Sequence, residues 1–106
     1  MLTITTAILD CINQWAETPR EINRGNCDTF ANQIETLGFG EAVWGDELSP
    51  EDWSFSSEDW FTNYAPYHCL ILYQGRYYDS ECPEGVKWPD QLPYYRRQIQ
   101  YWDLYG

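Results

Sequence analysis

The residues best suited to chemistry in this sequence are one cysteine and the chain's one histidine. Cys27 stands at the start of a predicted helix, where unpaired backbone N–H groups and the helix dipole favour a thiolate. An imidazole beside that thiol can take its proton and later return it to a leaving group. If the fold brings Cys27 and His68 together, they predict nucleophilic catalysis by a thiolate.

A predicted β-hairpin places a carboxylate beside His68. Residues 67–73 and 76–79 are β-prone runs joined by a two-residue turn. With that turn, His68 stands opposite Glu81, and Asp79 is its diagonal neighbour on the same face of the sheet. A nucleophile and base of this kind need a third group that orients the imidazole. The register therefore predicts a pair of His68 and Asp79, with Glu81 as the substitute.

Two amphipathic helices are predicted before this hairpin. Apolar residues recur at helical spacing over 3–16, where Thr3 is a plausible cap, and over 26–37, the helix that carries Cys27. The stretch 19–26 between them is predicted to be a polar turn.

The remaining segments have weaker patterns. Residues 41–44 are predicted as a short strand, and 46–66 as a loop with a helical turn near Ser49-Pro50. Residues 80–93 are predicted as irregular, and 94–105 as a short helix followed by a short strand.

The segment around Cys27 reads Gly25-Asn26-Cys27-Asp28-Thr29-Phe30-Ala31 and is followed by Leu37-Gly38-Phe39. It resembles the nucleophile segment of the transglutaminase-like branch of papain-like cysteine enzymes, Gly-x-Cys-x-x-aromatic-Ala with a Leu-Gly-hydrophobic helix end. His68 and Asp79 are similar to that family's His and Asp, in the same chain order.

The resemblance implies a nucleophile at Cys27, a base and acid at His68, and an orienting group at Asp79. It also implies an α+β fold with a papain-like core: an N-terminal helix and a Cys-bearing helix packed on a small antiparallel β-sheet. The donors to the oxyanion stay open beside the Cys27 backbone N–H, with Gln14 as one candidate. Candidate oxyanion or substrate-binding residues are Asn23, Asn26, Glu81 and Trp44.

An acidic stretch with interleaved aromatic residues is the second signal. Between Arg24 and Arg76 the sequence has nine acidic residues and no lysine or arginine. Such a stretch is usually a solvated surface, but it can also recognise a basic partner. The alternative function is therefore a non-catalytic binding or inhibitor protein, such as a DNA mimic of the phage or mobile-element type. Its candidate partner-binding residues are Glu47, Glu51, Asp52, Trp53, Glu58, Asp59 and Trp60.

Composition limits the classes of function. The 106 residues are 43% hydrophobic and carry a net charge of −11, which predicts a single domain over residues 1–106 and excludes direct binding to nucleic acid or to an anionic membrane. No apolar run is long enough to cross a bilayer, and the N-terminus lacks the pattern of a signal peptide, so a cytoplasmic location is expected. The cysteines form no Cys-x-x-Cys pair, so neither a metal nor a cofactor is expected.

Together these features predict a small cytoplasmic cysteine hydrolase or acyltransferase. It would be a protease, an amidase or a transglutaminase-like enzyme that acts through a thioester on a protein or peptide, expected to be basic. The sequence does not specify the substrate or the oligomeric state.

Overall fold

The computed structural model describes residues 2–105, and in this part of the chain the fold is α+β. Five α-helices lie around a four-stranded antiparallel sheet. The helices are α1 (Ile4–Gln14), α2 (Pro19–Gly25), α3 (Cys27–Thr36), α4 (Glu58–Asn63) and α5 (Pro93–Tyr105). The strands are β1 (Glu41–Trp44), β2 (Cys69–Tyr73), β3 (Arg76–Asp79) and β4 (Cys82–Val86).

The predicted hairpin is confirmed and forms the centre of the sheet, whose strand order is β1-β2-β3-β4. Tyr73 pairs with Arg76, so Gln74 and Gly75 form the turn. Both turn residues have left-handed backbone angles, with φ of 50° and 76°. A turn with two positive φ values twists in the sense of the flanking strands, which fixes the register of β2 and β3.

The two predicted helices are confirmed, and their ends are set by local hydrogen bonds. The Thr3 side chain accepts from the backbone N–H of Thr6, and the Thr6 hydroxyl accepts from the backbone N–H of Thr3. This reciprocal capping satisfies two donors that a helix start leaves unpaired. Helix α3 begins at Cys27, as the apolar spacing indicated.

The prediction of a polar turn over 19–26 is wrong, because these residues form α2. Thr18 and Glu21 cap this helix reciprocally, and Pro19 occupies its first turn, where a missing N–H costs nothing. The spacing of Thr18 and Glu21 was the signal for a helix start that the composition of the segment concealed.

Replacing Thr18 by alanine is expected to lower the free energy of unfolding by about 1 kcal/mol, the usual cost of losing such a cap. Urea unfolding followed by circular dichroism measures this change. Thr36→Ala is the matched control, since the Thr36 hydroxyl only donates back to the carbonyl of Asn32 within α3. Equal losses in the two variants would contradict a capping role for Thr18.

The predictions for the C-terminal third are also wrong. Part of the predicted irregular stretch is β4, an edge strand that tolerates Pro83 because a proline there breaks no ladder bond between strands. Gly85 has φ of 78°, and a Cβ there would lie 2.4 Å from the Tyr78 ring. Residues 93–105 form one helix, α5, without the expected strand.

Aromatic rings fill the face of the sheet away from α3. Trp53 and Trp60 are only 4% and 0% exposed, so the expectation that they present a binding surface is wrong. Trp60 stacks on Tyr64 at 5.2 Å between ring centres, and its indole also packs edge-on against Tyr95. Because these large rings are buried, residues 46–66 form a packed layer that contains α4 and not the predicted loop.

The acidic side chains of that layer point to solvent as predicted. Glu47, Glu51, Glu58 and Asp59 are exposed, and Asp52 is half-buried. Over residues 2–105 there is no helix with the length and apolar character needed to cross a bilayer.

Candidate active site

Three secondary-structure elements bring Cys27, His68 and Asp79 together. Cys27 is the first residue of α3, His68 immediately precedes β2, and Asp79 is the last residue of β3. His68 Nε2 lies 2.9 Å from Asp79 Oδ2, and the backbone N–H of Cys69 donates to Cys27 Sγ at 3.4 Å. Because α3 packs on the same end of the sheet, the sequence-predicted trio meets in one buried cluster.

The His68 ring is fixed by α5. It is fully buried and stacks on Tyr94 at 4.1 Å with an interplanar angle of 15°. Tyr95 packs against it edge-on at 5.3 Å. The two tyrosine hydroxyls donate to the backbone carbonyls of Tyr67 and Ala65, respectively. These contacts hold the imidazole plane, and sequence reasoning missed them because they join segments that are distant along the chain.

Asp79 is held from both sides of its carboxylate. Oδ2 faces His68, and Oδ1 accepts from the backbone N–H of Glu81 at 2.9 Å. The prediction that Glu81 stands opposite His68 as a substitute is wrong, since the chain turns after Asp79 and carries Glu81 away. The Glu81 carboxylate instead accepts from both terminal nitrogens of Arg97 and from Asn23.

A buried hydrogen-bond network ties the turn after Asp79 to α2. Ser80 Oγ lies 2.7 Å from the Pro19 carbonyl oxygen and 3.0 Å from Asn23 Oδ1. Asn23 also donates to Glu81 at 3.0 Å. The helix that leads into Cys27 and the turn that positions Asp79 are therefore one connected unit.

Cys27 and His68 each favour the charged form of the other. Burial alone raises the pKa of Cys27, but the neighbouring His68 and the hydrogen bond from the Cys69 N–H outweigh it and lower that pKa. Burial opposes the imidazolium too, yet Asp79 and Cys27 raise the pKa of His68. Among residues 2–105, Nδ1 of His68 has no hydrogen-bond partner, so the ring nitrogen that does not face Asp79 is available to exchange a proton with the thiol.

The other cysteines have the opposite tendency. Cys82 is as exposed as Cys27, at 8%, but burial and the charge of Asp79 raise its pKa to about 11. Burial and the charge of Cys27 raise the pKa of Cys69 to about 12. Burial also raises the pKa of Cys11. Equal exposure with opposite pKa shifts shows that His68 distinguishes Cys27 from Cys82.

The side-chain amides proposed for the oxyanion already have partners. Asn23 donates to Glu81, and Asn26 donates to Glu17 at 2.6 Å. Gln14 lies exposed at the end of α1. The backbone N–H of Cys27 lies in the first turn of α3, where a helix leaves its donors without internal partners, so it stays a candidate donor to an oxyanion.

Trp44 lies on the Cys27 side of the sheet. It pairs with Cys69 across β1 and β2, and it is 38% exposed, so its ring is available to a substrate. The next residue, Gly45, donates its N–H to the His68 carbonyl at 3.1 Å. A Cβ at Gly45 would lie 2.0 Å from the Ala65 carbonyl oxygen, so this close approach of backbone requires glycine.

Comparisons with known proteins add no relative: no family model, no curated protein and no solved structure matches the chain. Within the described residues, no group of three or more His, Cys, Asp or Glu side chains is arranged to hold a metal ion. The roles of Cys27, His68 and Asp79 therefore rest on their geometry and on the local sequence pattern.

Proposed function

We propose that this protein is a small cysteine hydrolase or acyltransferase of the transglutaminase-like, papain-like kind. The observation that carries the proposal is a buried His68 held by Asp79 through one ring nitrogen, next to a thiol at a helix start whose pKa is lowered. A nucleophile, a base within reach and a third group that orients the base are the parts of covalent catalysis.

The proposed reaction starts with the thiolate. Cys27 Sγ attacks the carbonyl carbon of an amide or ester, and the Cys27 backbone N–H donates to the oxyanion. The His68 imidazolium then gives its proton to the leaving nitrogen or oxygen as the bond from carbonyl carbon to leaving group breaks, which leaves a thioester on Cys27. Water or an amine next loses a proton to His68 and attacks the thioester. The bond from the carbonyl carbon to Sγ then breaks, which releases the acid or the new amide and restores the Cys27 thiolate beside the protonated His68.

The surroundings of the site fit a reducing compartment, for which we propose the cytoplasm. Cys11, Cys27, Cys69 and Cys82 are all free thiols, and the proposed reaction consumes a thiolate. Because an acidic surface attracts cationic chains over a distance of several ångströms, we also propose a protein or peptide substrate that is basic overall.

A non-catalytic binding role has less support. Its tryptophan anchors, Trp53 and Trp60, are buried, and only the exposed acidic side chains remain for a partner. Surface acids are common on soluble domains, whereas a buried pair of His68 and Asp79 beside a thiol needs a specific arrangement.

Acyl transfer to Cys27 is the direct test. Incubation with p-nitrophenyl acetate is expected to place one acetyl group on Cys27, found by mass spectrometry of the intact chain and of its peptides. Hydroxylamine is expected to remove it, since thioesters are cleaved by that nucleophile. Cys27→Ala is expected to carry no such adduct.

Cys82→Ala is the matched control, because this thiol has the same exposure as Cys27 and a raised pKa. This variant is expected to acetylate at Cys27 as the unmodified chain does. In the unmodified chain, acetylation of Cys82 in place of Cys27 would contradict the proposed function, and so would the absence of acetylation at both thiols.

A further inference from the structure

A pocket of about 380 Å³ lies between α2 and α5. Arg20 and Arg24 reach it from α2, where a spacing of four residues puts them on one face. The other lining residues lie three and four apart on α5. They are Tyr94, Arg97, Gln98 and Tyr101.

The pocket concentrates positive charge in a strongly acidic chain. Three of the six basic residues of the sequence line it, although the net charge is −11. Glu81 is the carboxylate that faces them, and it is bound by Arg97 in a two-pronged contact. On α2 itself, Glu21 lies near Arg24 and is exposed. Positive groups therefore outnumber negative ones at this pocket.

Pairing within α2 does not account for this arrangement, because like charges four residues apart on a helix repel each other. Arg97 uses two of its five N–H donors on Glu81, which fixes the plane of its guanidinium and leaves further donors available. A guanidinium held in this way suits the planar, two-pronged recognition of a carboxylate, and the exposed Arg20 and Arg24 add positive charge beside it.

The pocket adjoins the candidate active site. Tyr94 lines it with one part of its side chain and stacks on the His68 imidazole. Helix α2, which contributes Arg20 and Arg24, ends at Gly25, two residues before Cys27. The pocket and the candidate site therefore share Tyr94 and the helix that leads into Cys27.

We propose that this pocket binds a carboxylate of the substrate, either an acidic side chain or a free C-terminus next to the carbonyl that Cys27 attacks. This inference rests on the proposed function. The acidic surface attracts a substrate that is basic overall, and the pocket in addition requires a carboxylate near the carbonyl that reacts. The arginines recognise the carboxylate, and Cys27 with His68 carries out the acyl transfer.

Three thiol-directed probes of similar shape test the proposal. N-iodoacetyl-glutamate α-amide has a side-chain carboxylate, N-iodoacetyl-glutamine has a C-terminal one, and N-iodoacetyl-glutamine α-amide has neither. Each forms a bond between Cys27 Sγ and the methylene carbon as iodide leaves. Peptide mass mapping gives the rate at Cys27, and the readout is the ratio of each acidic probe to the neutral probe, which cancels changes in the reactivity of the thiol.

At least one acidic probe is expected to react about tenfold faster than the neutral one, as a charge-assisted contact of ordinary strength produces. The probe that does so identifies the source of the carboxylate. Arg20→Gln and Arg24→Gln are expected to lower that ratio toward one. Arg96→Gln is the matched control: it removes the same charge from α5, but its side chain lines a different pocket, beside Asp90.

Ratios at or below one for both acidic probes would overturn the proposal, as would equal changes in Arg20→Gln and Arg96→Gln. If Cys27 reacts with all three probes no faster than Cys82, the proposed function fails instead. The pocket is then tested by titrating the protein with N-acetyl-glutamate α-amide and with N-acetyl-glutamine, each against N-acetyl-glutamine α-amide. Amide NMR shifts confined to α2 and α5 with either acidic ligand support the pocket, and their absence with both overturns it.

Discussion

Replacing His68 by alanine is expected to lower the rate of Cys27 acylation at pH 7 by about 10²–10⁴-fold, the usual contribution of a positioned acid and base. The physical reason is the balance of effects on the thiol. Burial raises the pKa of Cys27, and the neighbouring His68 is the main opposing cause. Without the imidazole, burial dominates and the thiolate becomes scarce.

The same variant changes the pH dependence of the thiol. In the unmodified chain, the lowered pKa of Cys27 keeps thiolate present below the usual range of a thiol, and alkylation by iodoacetamide is lost only as the pH falls through that lowered value. In His68→Ala, alkylation is expected to begin at higher pH. Rates are measured by peptide mass mapping over a series of pH values.

Cys82 is the reference within each molecule. Its pKa of about 11 keeps it protonated at neutral pH in a folded chain, so rapid labelling of Cys82 reports unfolding of the variant. Slow labelling of Cys27 in His68→Ala, with Cys82 still unlabelled, supports the role of His68. A Cys27 that reacts at the same rate with and without His68 would falsify the ion pair.

The candidate site could be predicted from the sequence because two short-range rules fix its parts. Helical spacing of apolar residues placed Cys27 at a helix start. The two-residue turn set the register that put Asp79 beside His68. Each rule depends only on the period of its own element, and neither needs knowledge of distant packing.

The parts that sequence reasoning missed depend on contacts between distant segments. Trp53 and Trp60 stand among acidic residues, and part of what buries their rings is Tyr95 and Trp102, which lie far along the chain. The C-terminal stretch fits a helix or a strand by period alone, and packing of Tyr94 on His68 selects the helix. Local pattern could not reveal that the arginines of α2 and α5 share a pocket.

The burial of those aromatic rings also explains how a short chain supports a buried ion pair. His68 and Asp79 are 0% and 3% exposed, and an ion pair removed from water needs good geometry and further hydrogen bonds. Tyr95 covers His68, and the backbone N–H of Glu81 satisfies the second carboxylate oxygen of Asp79. Within the part of the chain that the structure describes, the polar atom of the pair that stays without a partner is Nδ1 of His68, the nitrogen proposed to serve the thiol. The aromatic layer and the hydrogen-bond network that ties the turn after Asp79 to α2 are thus both needed to hold His68 and Asp79 in place.

Asp79→Asn is expected to reduce Cys27 acylation by about 10²–10⁴-fold while keeping the volume of the side chain. The Asp79 carboxylate accepts a hydrogen bond from the protonated Nε2 of His68. Nδ1 of the same ring is then without a proton and can take the proton of the thiol. An asparagine amide can donate to Nε2 instead, and the ring then carries its proton on Nδ1, where it no longer accepts from Cys27. Burial also opposes the imidazolium, and without Asp79 the largest cause that raises the pKa of His68 is lost.

Asp90→Asn is the matched control for this change. Asp90 is also buried, at 9%, and its carboxylate accepts from the backbone N–H and the hydroxyl of Ser54, outside the cluster of Cys27, His68 and Asp79. Both variants remove one buried charge, so they carry a similar risk to stability, which urea unfolding measures. If Asp79 positions the imidazole, only Asp79→Asn slows acylation and shifts its pH profile. Equal effects of the two variants on acylation would mean that Asp79 serves stability alone, and the nucleophile would then have a base with no fixed orientation.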